Sequence, residues 1–326
     1  MLSITFIIPT YNAGKHIERC LKSLREQQYP QDKVEILIVE GGSSDNTPNI
    51  AAKYGCKILA NPRRLAEYGV QIGMKAASSD LVVTFAADNG LVGQDWISKV
   101  VRIFEQYDHL SAVWGRLAAG VDDSALNKYF ELIQSDPLNW FLNTNLRKYL
   151  RHSRYSMEHG CYFFKVDPSS PLVWGANGLV FRTAKIAGIW AQEGYLGDND
   201  AFQYMIERGD NEVAYFATAF VYHHHVARIS DWIRKWRRNF QHHLVDKAGT
   251  RNMNWVFRRN FKLKLLLWSF YSGCPVFSAL HAIWLAVRQR NIYWLYHPVV
   301  SFAQLATYAA IGLSNGKAFD FMRRRL

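Results

Sequence analysis

The chain has 326 residues, 49% of them hydrophobic, enough to bury a full core in one large domain or two smaller ones, and it carries no low-complexity tract or internal repeat. Residues 1–225 hold 22 Lys/Arg against 24 Asp/Glu, whereas residues 226–326 hold 17 against 3, so the net charge of +12 belongs almost wholly to the last hundred residues. Such asymmetry points to an anionic surface, nucleic acid or membrane, met by the C-terminal part. Cys20, Cys56, Cys161 and Cys274 have no metal-ligand spacing and read as reduced thiols of a cytosolic protein. The N-terminus lacks a basic stretch before its first apolar run, so no signal peptide is expected.

Ile4 to Pro9 is a short apolar run with the character of a buried strand, turned by Thr10-Tyr11-Asn12-Ala13-Gly14. Ile17, Cys20, Leu21 and Leu24 then recur at helical spacing, with Asn12 the expected N-cap. A second strand over Val34–Val39 ends in Glu40-Gly41-Gly42-Ser43-Ser44-Asp45-Asn46-Thr47. A helix from about Pro48 to Tyr54, a strand over Lys57–Ala60 and a helix over Arg64–Ala77 follow. Leu81 to Phe85 is another buried strand, and it stops on Ala86-Ala87-Asp88-Asn89-Gly90. Strands alternating with helices predict a doubly wound, mostly parallel sheet, whose right-handed crossovers bring Glu40 and Asp88 to one edge.

Neither a Gly-x-Gly-x-x-Gly nor a Gly-x-x-x-x-Gly-Lys-Ser/Thr follows the first strand, which disfavours a dinucleotide-binding dehydrogenase and a P-loop NTPase. The strand ends offer Thr10, Tyr11, Glu40, Ser43, Asp45, Asp88 and Asn89 instead, groups suited to a nucleoside and a divalent metal.

Ile8-Pro9-Thr10-Tyr11-Asn12, Val39-Glu40 through Asn46-Thr47, Phe85-Ala86-Ala87-Asp88-Asn89 and Gly197-Asp198-Asn199-Asp200 together resemble the ordered motifs of family 2 glycosyltransferases. The likeness covers about residues 3–225 and implies the GT-A fold, an α/β domain binding a nucleotide-sugar donor, UDP- or GDP-linked. By resemblance, Pro9, Thr10 and Tyr11 flank the base and ribose, and Glu40 replaces the usual Asp that accepts the pyrimidine N–H. Ser43 and Asp45 belong to the donor loop. Asp88, with Asn89 beside it, is the expected ligand of Mg²⁺ or Mn²⁺, while Ala86 stands where the family's signature has its first Asp. Asp198 aligns with the general base of an inverting transfer, with Gly197 in place of the usual preceding Glu; the simpler reading of Asp198 and Asp200 is helix capping.

The run from Ala214 to Tyr222 is strand-like and ends in His223-His224-His225; alternation lets only His223 and His225 share a side, as candidate further metal ligands or as a polar strand end. Ser230 to Phe240 has a basic amphipathic pattern with two tryptophans, the character of an interfacial helix on anionic lipid. Leu265–Val287 and Asn291–Gly316 lack charged residues over 23 and 26 positions, long enough for a bilayer but interrupted by Gly273, Pro275 and Pro298.

A catalytic domain at 1–225 and a helical membrane-association region at 226–326 are therefore expected. The protein would act at the cytoplasmic face of the cell membrane, whether peripheral, re-entrant or spanning, on a polyprenyl- or other lipid-linked acceptor and not on nucleic acid. The rival reading is a nucleotide-sugar-binding membrane scaffold that has lost its metal site at Ala86.

Overall fold

The computed structural model describes residues 1–142, 146–169, 178–190, 197–224, 226–246 and 260–325. In chain order its elements begin with β1 (Ile4–Thr10), α1 (Ile17–Arg25), β2 (Val34–Glu40), α2 (Thr47–Lys53), β3 (Lys57–Ala60), α3 (Ala66–Ala76) and β4 (Leu81–Thr84). Then come β5 (Asn89–Leu91), α4 (Trp96–Gln106), β6 (Ala112–Ala118), α5 (Ala125–Ile133), α6 (Pro137–Leu142), α7 (Arg147–Leu150), β7 (Arg154–Ser156) and β8 (Cys161–Lys165). β9 (Leu179–Arg182), α8 (Thr183–Ile186), α9 (Asp198–Glu207), β10 (Glu212–His223) and α10 (Ile229–Asn239) follow. The chain closes with α11 (Phe261–Gly273), α12 (Pro275–Arg288), α13 (His297–Ser314) and α14 (Gly316–Arg325).

The described strands form one sheet in the order β3-β2-β1-β4-β9-β6-β10-β8-β7, with β5 paired to β10. β2, β1 and β4 run parallel, Thr10 facing Glu40 and Ile7 facing Thr84 in register. The expectation of a mostly parallel sheet needs correction: the sheet is mixed. β9 runs against both β4 and β6, β8 against β10, and β7 against β8. Parallel order reaches β6 across α4, and β10 runs parallel to β6; the short strands β5, β8 and β9 reverse direction between them.

Strand alternation sends Ile4, Phe6 and Ile8 of β1 into the main core beside Ile36, Ile38 and Val83, where Ile17, Cys20, Leu21 and Leu24 of α1 cover them. On the other face α3 lies so close to β1 that a Cβ on Gly73 would meet Ile7 at 2.2 Å, and one on Gly69 would meet Pro9 at 2.8 Å. These glycines, four apart on one helix face, let the helix backbone approach the strand.

Two compact units divide the chain. The first comprises Met1–Ala118, Tyr149–Ser170 and Gly175–His223 and contains the whole sheet. The second comprises Ala119–Lys148, Pro171–Trp174 and His224–Leu326, so α5 and α6 belong with the C-terminal helices. Its core packs Leu126, Tyr129 and Trp140 with Trp232, Leu285, Trp294 and Val300. α11 and α12 meet at an angle of 86°, and no single helix among the described residues is long and apolar enough to cross a membrane. All four cysteines are free.

Candidate active site

The chain runs β1, β2, β3 outward to one edge of the sheet and then returns to β4 on the other side of β1. The carboxyl ends of β1, β2 and β4 therefore open at a switch point, where open α/β sheets bind ligands. Two groups of polar residues collect on these strand ends.

The first group ties the loop after β1 to the loop after β2. The Asn12 amide donates to Ser43 Oγ at 2.8 Å, and Asn12 Oδ1 accepts from the Ser44 amide at 2.9 Å. Gly14 donates to Asp45 Oδ2 at 2.9 Å, and Thr47 donates to Asp45 from its amide and its hydroxyl. Asn12 is thus not the N-cap of α1, which begins five residues further on, at Ile17, with His16 at the N-cap position. Its carboxamide is spent across the loop, from a backbone in the left-handed region. Glu40 folds back on its own turn: its two oxygens accept from the amides of Gly42 and Ser43, each at 2.7 Å. Gly42 reaches this geometry with φ +80, which glycine adopts without steric cost. Burial raises the Glu40 pKa, but the hydrogen bonds from Ser43 and Gly42 outweigh it and hold the carboxyl below its usual range. The Thr47 hydroxyl, with the Gly14 and Thr47 amides, does the same for Asp45 against a smaller burial effect.

Ser43 and Asp45 are therefore loop-building residues first. Other polar groups near these strand ends take no part in that loop. Thr10 Oγ1 is buried with no hydrogen-bond partner among the described residues. The Tyr11 ring is half exposed, with the Arg64 guanidinium 5.4 Å from its centroid. Pro9 backs this corner against the open face of Gly69. Arg64 adopts φ +56, and its amide donates to Asn61 O at 3.1 Å, a turn that folds the residue back toward Gly42. Sequence reasoning passed over Arg64; the signal available was a pair of adjacent arginines in a short strand-to-helix connection.

The second group forms where β5 pairs with β10. The register sets Asn89 opposite His223, and His223 Nδ1 lies 2.8 Å from Asn89 Oδ1 and 3.8 Å from Asp88 Oδ1. Both Asp88 and His223 are only partly exposed, so a carboxylate and an imidazole share one strand edge in reduced contact with water. A proton on Nδ1 donated to Asn89 Oδ1 would orient the ring as the outer partner of a metal-ligating histidine does. No group of three or more His, Cys, Asp or Glu suited to a metal occurs among the described residues. One carboxylate and one imidazole nevertheless fit a hard divalent cation whose other ligands are water and substrate phosphate oxygens.

Asp198 is the first residue of α9, and Asp200 supplies the cap: its Oδ2 accepts from the Gly197 amide at 3.2 Å. The capping role thus falls to the buried Asp200. Asp198 lies on an element separate from both strand-end groups. In the second unit His224 Nδ1 contacts Asp123 Oδ1 at 2.5 Å, and Asp123 Oδ2 also accepts from Gly120 N and Asn127 Nδ2. His225 lies outside the described residues, as do the segments 170–177 and 191–196.

Residues 5–166 match the family model described as glycosyl transferase family 2. A dolichyl N-acetyl-alpha-D-glucosaminyl phosphate 3-beta-D-2,3-diacetamido-2,3-dideoxy-beta-D-glucuronosyltransferase of Methanococcus voltae is 29% identical over 147 residues, 42% of this chain and 45% of that protein. Glycosyltransferase AglE of Haloferax volcanii is 29% identical over 103 residues, 30% of this chain and 34% of its own length. The chain thus spans less than half the length of these curated relatives. Among solved structures, the mannosyltransferase PcManGT from Pyrobaculum calidifontis, in complex with GDP-Man and Mn²⁺, aligns with 94% of this chain and 86% of its own at a TM-score of 0.55 and 16% identity, a likeness of fold. The match takes in the motifs at Pro9–Asn12, Glu40–Thr47 and Ala86–Asn89, and residues 5–166 of this chain are a glycosyl transferase family 2 domain.

Proposed function

We propose that the protein is an inverting glycosyltransferase that moves a sugar from a UDP- or GDP-linked donor to a lipid-linked acceptor at the cytoplasmic face of a membrane. The observation that supports this reading is the pairing of β5 with β10, which brings His223 to Asp88 and Asn89 just beyond the end of β4, the strand that lies beside β1 and its Thr10. Thr10 offers an unpaired hydroxyl and Tyr11 a ring face to the nucleoside, and Glu40 retains lone pairs beyond those its own turn uses. Pro9 stiffens that corner, while Ser43 and Asp45 keep the loop in shape.

Asp88 and His223 are the residues that would hold Mg²⁺ or Mn²⁺, with His225 a further candidate. A divalent cation bound there neutralises diphosphate charge as the leaving group departs. Arg64 adds a fixed cation on the donor side, where negative charge grows in the transition state. Asp198 takes the proton of the acceptor hydroxyl as its oxygen bonds to the anomeric carbon; the bond from that carbon to the diphosphate breaks on the opposite face and releases the nucleoside diphosphate.

The lipid-linked acceptor draws support from the Methanococcus voltae relative, whose name specifies a dolichyl-phosphate-linked substrate, and the guanosine donor from the GDP-Man bound by PcManGT. The basic C-terminal hundred residues favour the membrane over nucleic acid as the anionic partner because apolar helices accompany the charge. The second reading, a binding scaffold, rests on Ala86 and on a metal corner with two candidate protein ligands among the described residues.

A panel of UDP- and GDP-sugars, assayed for hydrolysis and for transfer to polyprenyl-phosphate-linked acceptors with Mn²⁺ or with chelator, tests both. Turnover lost with chelator and in Asp88→Asn supports the transferase. Nucleotide binding that ignores metal, with no turnover on any donor, leaves the scaffold.

A further inference from the structure

α11, α12 and α13 are built inside out. Besides Trp268, Leu285, Val300 and Ile311, their buried positions hold many small or polar residues: Ser272, Ser278, Ala282, His297, Ser301 and Gln304 are all fully covered. Most of these polar groups pair with one another or with the rest of the second unit, although His297 Nε2 has no partner among the described residues. Ser272 and Ser301 share a hydrogen bond of 2.7 Å across two helices, and the Tyr129 hydroxyl meets His297 Nδ1 at 2.7 Å. Gln304 donates to Asp136 at 2.8 Å and accepts from the Leu138 amide at 3.0 Å. A larger set of apolar side chains points the other way. On α11, Leu263, Leu266, Leu267 and Phe270 are each more than half exposed, at the i, i+3, i+4, i+7 spacing of a single stripe. On α12, Phe277, Leu280, Trp284 and Val287 make the equivalent stripe, and Val299 and Phe302 continue it on α13. A helix group that faces water hides Leu and Phe and shows Ser and Gln. Apolar residues outside with small and polar residues between helices is the arrangement that lipid imposes.

Length and angle decide how such a group meets lipid. α11 has 13 residues and α12 has 14, each about 20 Å long and short of the ~30 Å hydrocarbon core. Their 86° corner prevents them from acting as one straight span. Charge marks the headgroup side: Lys262 and Lys264 open α11, Arg288 and Arg290 close α12, and all four are exposed. A cavity of about 670 Å³ between α10 and the end of α13 is lined by Arg234, Arg237, Arg238, Gln241, Ser314 and Asn315. Among the described residues Arg237 and Arg238 have no ion-pair partner, so their charge is available to an anion.

We infer that the second unit is a monotopic membrane seat: the exposed faces of α11, α12 and α13 lie among the acyl chains of one leaflet, and the arginine cavity takes the phosphate of an anionic lipid. The seat deepens the membrane reading proposed above and does not depend on sugar transfer, because it stands on the helices alone.

The test is flotation of the full chain with vesicles of phosphatidylcholine, alone or mixed with phosphatidylglycerol. The wild type is expected to float with both and to prefer the anionic mixture. Leu266→Glu with Phe277→Glu, on exposed positions, weakens flotation with both roughly tenfold or more, at unchanged circular dichroism. Arg237→Gln with Arg238→Gln removes only the anionic preference. A cysteine at Gln289, with vesicle-bound protein treated from outside, reacts with a membrane-impermeant maleimide above the parent chain's background. Protection of that cysteine, as in a spanning hairpin, overturns the inference. So does tight binding of inorganic pyrophosphate or RNA by protein that never floats. Flotation without sugar transfer would count against the catalytic proposal alone, and transfer to a soluble acceptor without flotation against the seat alone.

Discussion

Thr10 shows how a single buried atom separates stability from binding. Its hydroxyl is covered by protein yet bonded to nothing described, a state that costs about 1–3 kcal/mol unless something else satisfies it. Replacing Thr10 by Val keeps the shape and removes the orphan, so thermal unfolding should rise or hold while donor-nucleotide affinity measured by calorimetry falls. Equal affinity in the variant would remove Thr10 from the donor site. Asp198 makes a different prediction, since capping of α9 rests on Asp200. Asp198→Asn should leave the melting temperature nearly unchanged and lower turnover on a hydroxyl acceptor by roughly 10²–10⁴-fold, the usual weight of a general base. Retained turnover would point to an acceptor that is itself a phosphate and needs no base. The strand-end residues were legible because an apolar run that stops on Asp, Asn, Glu or Gly announces a sheet edge. Arg64 was not, since its role depends on a left-handed backbone and on a ring from another loop. Asn12 misled for the opposite reason: its place before a helix suits a cap, and only the folded chain reveals the Ser44 amide across the gap.

At the scale of elements, close approach is the recurring device. Gly73 of α3 would put a Cβ 2.2 Å from Ile7, and Gly115 of β6 would put one 1.9 Å from the Ala219 carbonyl. Gly73→Ala must push α3 off β1 and should cost about 1–3 kcal/mol in denaturant unfolding. Gly115→Ala meets backbone instead of a side-chain end, so its cost should be the larger of the two. The Gly115 contact lies at the irregularity in the β6–β10 ladder between Phe216 and Phe220, after which the register resumes toward His223. That resumed register, together with the β5 pairing, brings His223 to Asp88. Element types through β4 were readable from period and turn residues, and α3 differs from its predicted span by no more than two residues at either end. Strand direction beyond β4 was not readable, because β7, β8 and β9 are too short to declare their partners.

Across the whole molecule, charge and acidity set the working conditions. Glu40, Asp80 and Asp123 all have carboxyls held below their ordinary range. For Glu40 and Asp123 burial opposes the shift and hydrogen bonds overcome it; for Asp80 the Ser3 amide and hydroxyl lead. A depressed folded pKa contributes stability that is complete above the unfolded value and lost as pH falls through the folded one. Stability should therefore be level near neutrality and decline below about pH 4. Glu40→Gln should flatten part of that decline in a pH series of unfolding midpoints. Salt provides a second lever. High ionic strength screens the attraction of the arginines for headgroups but not the burial of Leu and Phe, so vesicle-bound protein should decrease with salt without disappearing. The basic C-terminal asymmetry was plain from composition; the inversion of polarity was not, since which side of each helix is covered depends on packing against α5, α6 and α10.

The corner between α11 and α12 has a kinetic consequence. Two helices laid nearly at right angles in one plane resist rotation about either axis, so a seated molecule keeps a single face toward the lipid and moves in two dimensions. Encounters with an acceptor dissolved in the same leaflet then depend on how crowded that acceptor is within the surface. Adding inert phospholipid to vesicles at fixed total acceptor should slow transfer in proportion to the dilution, although no concentration in the surrounding water has changed.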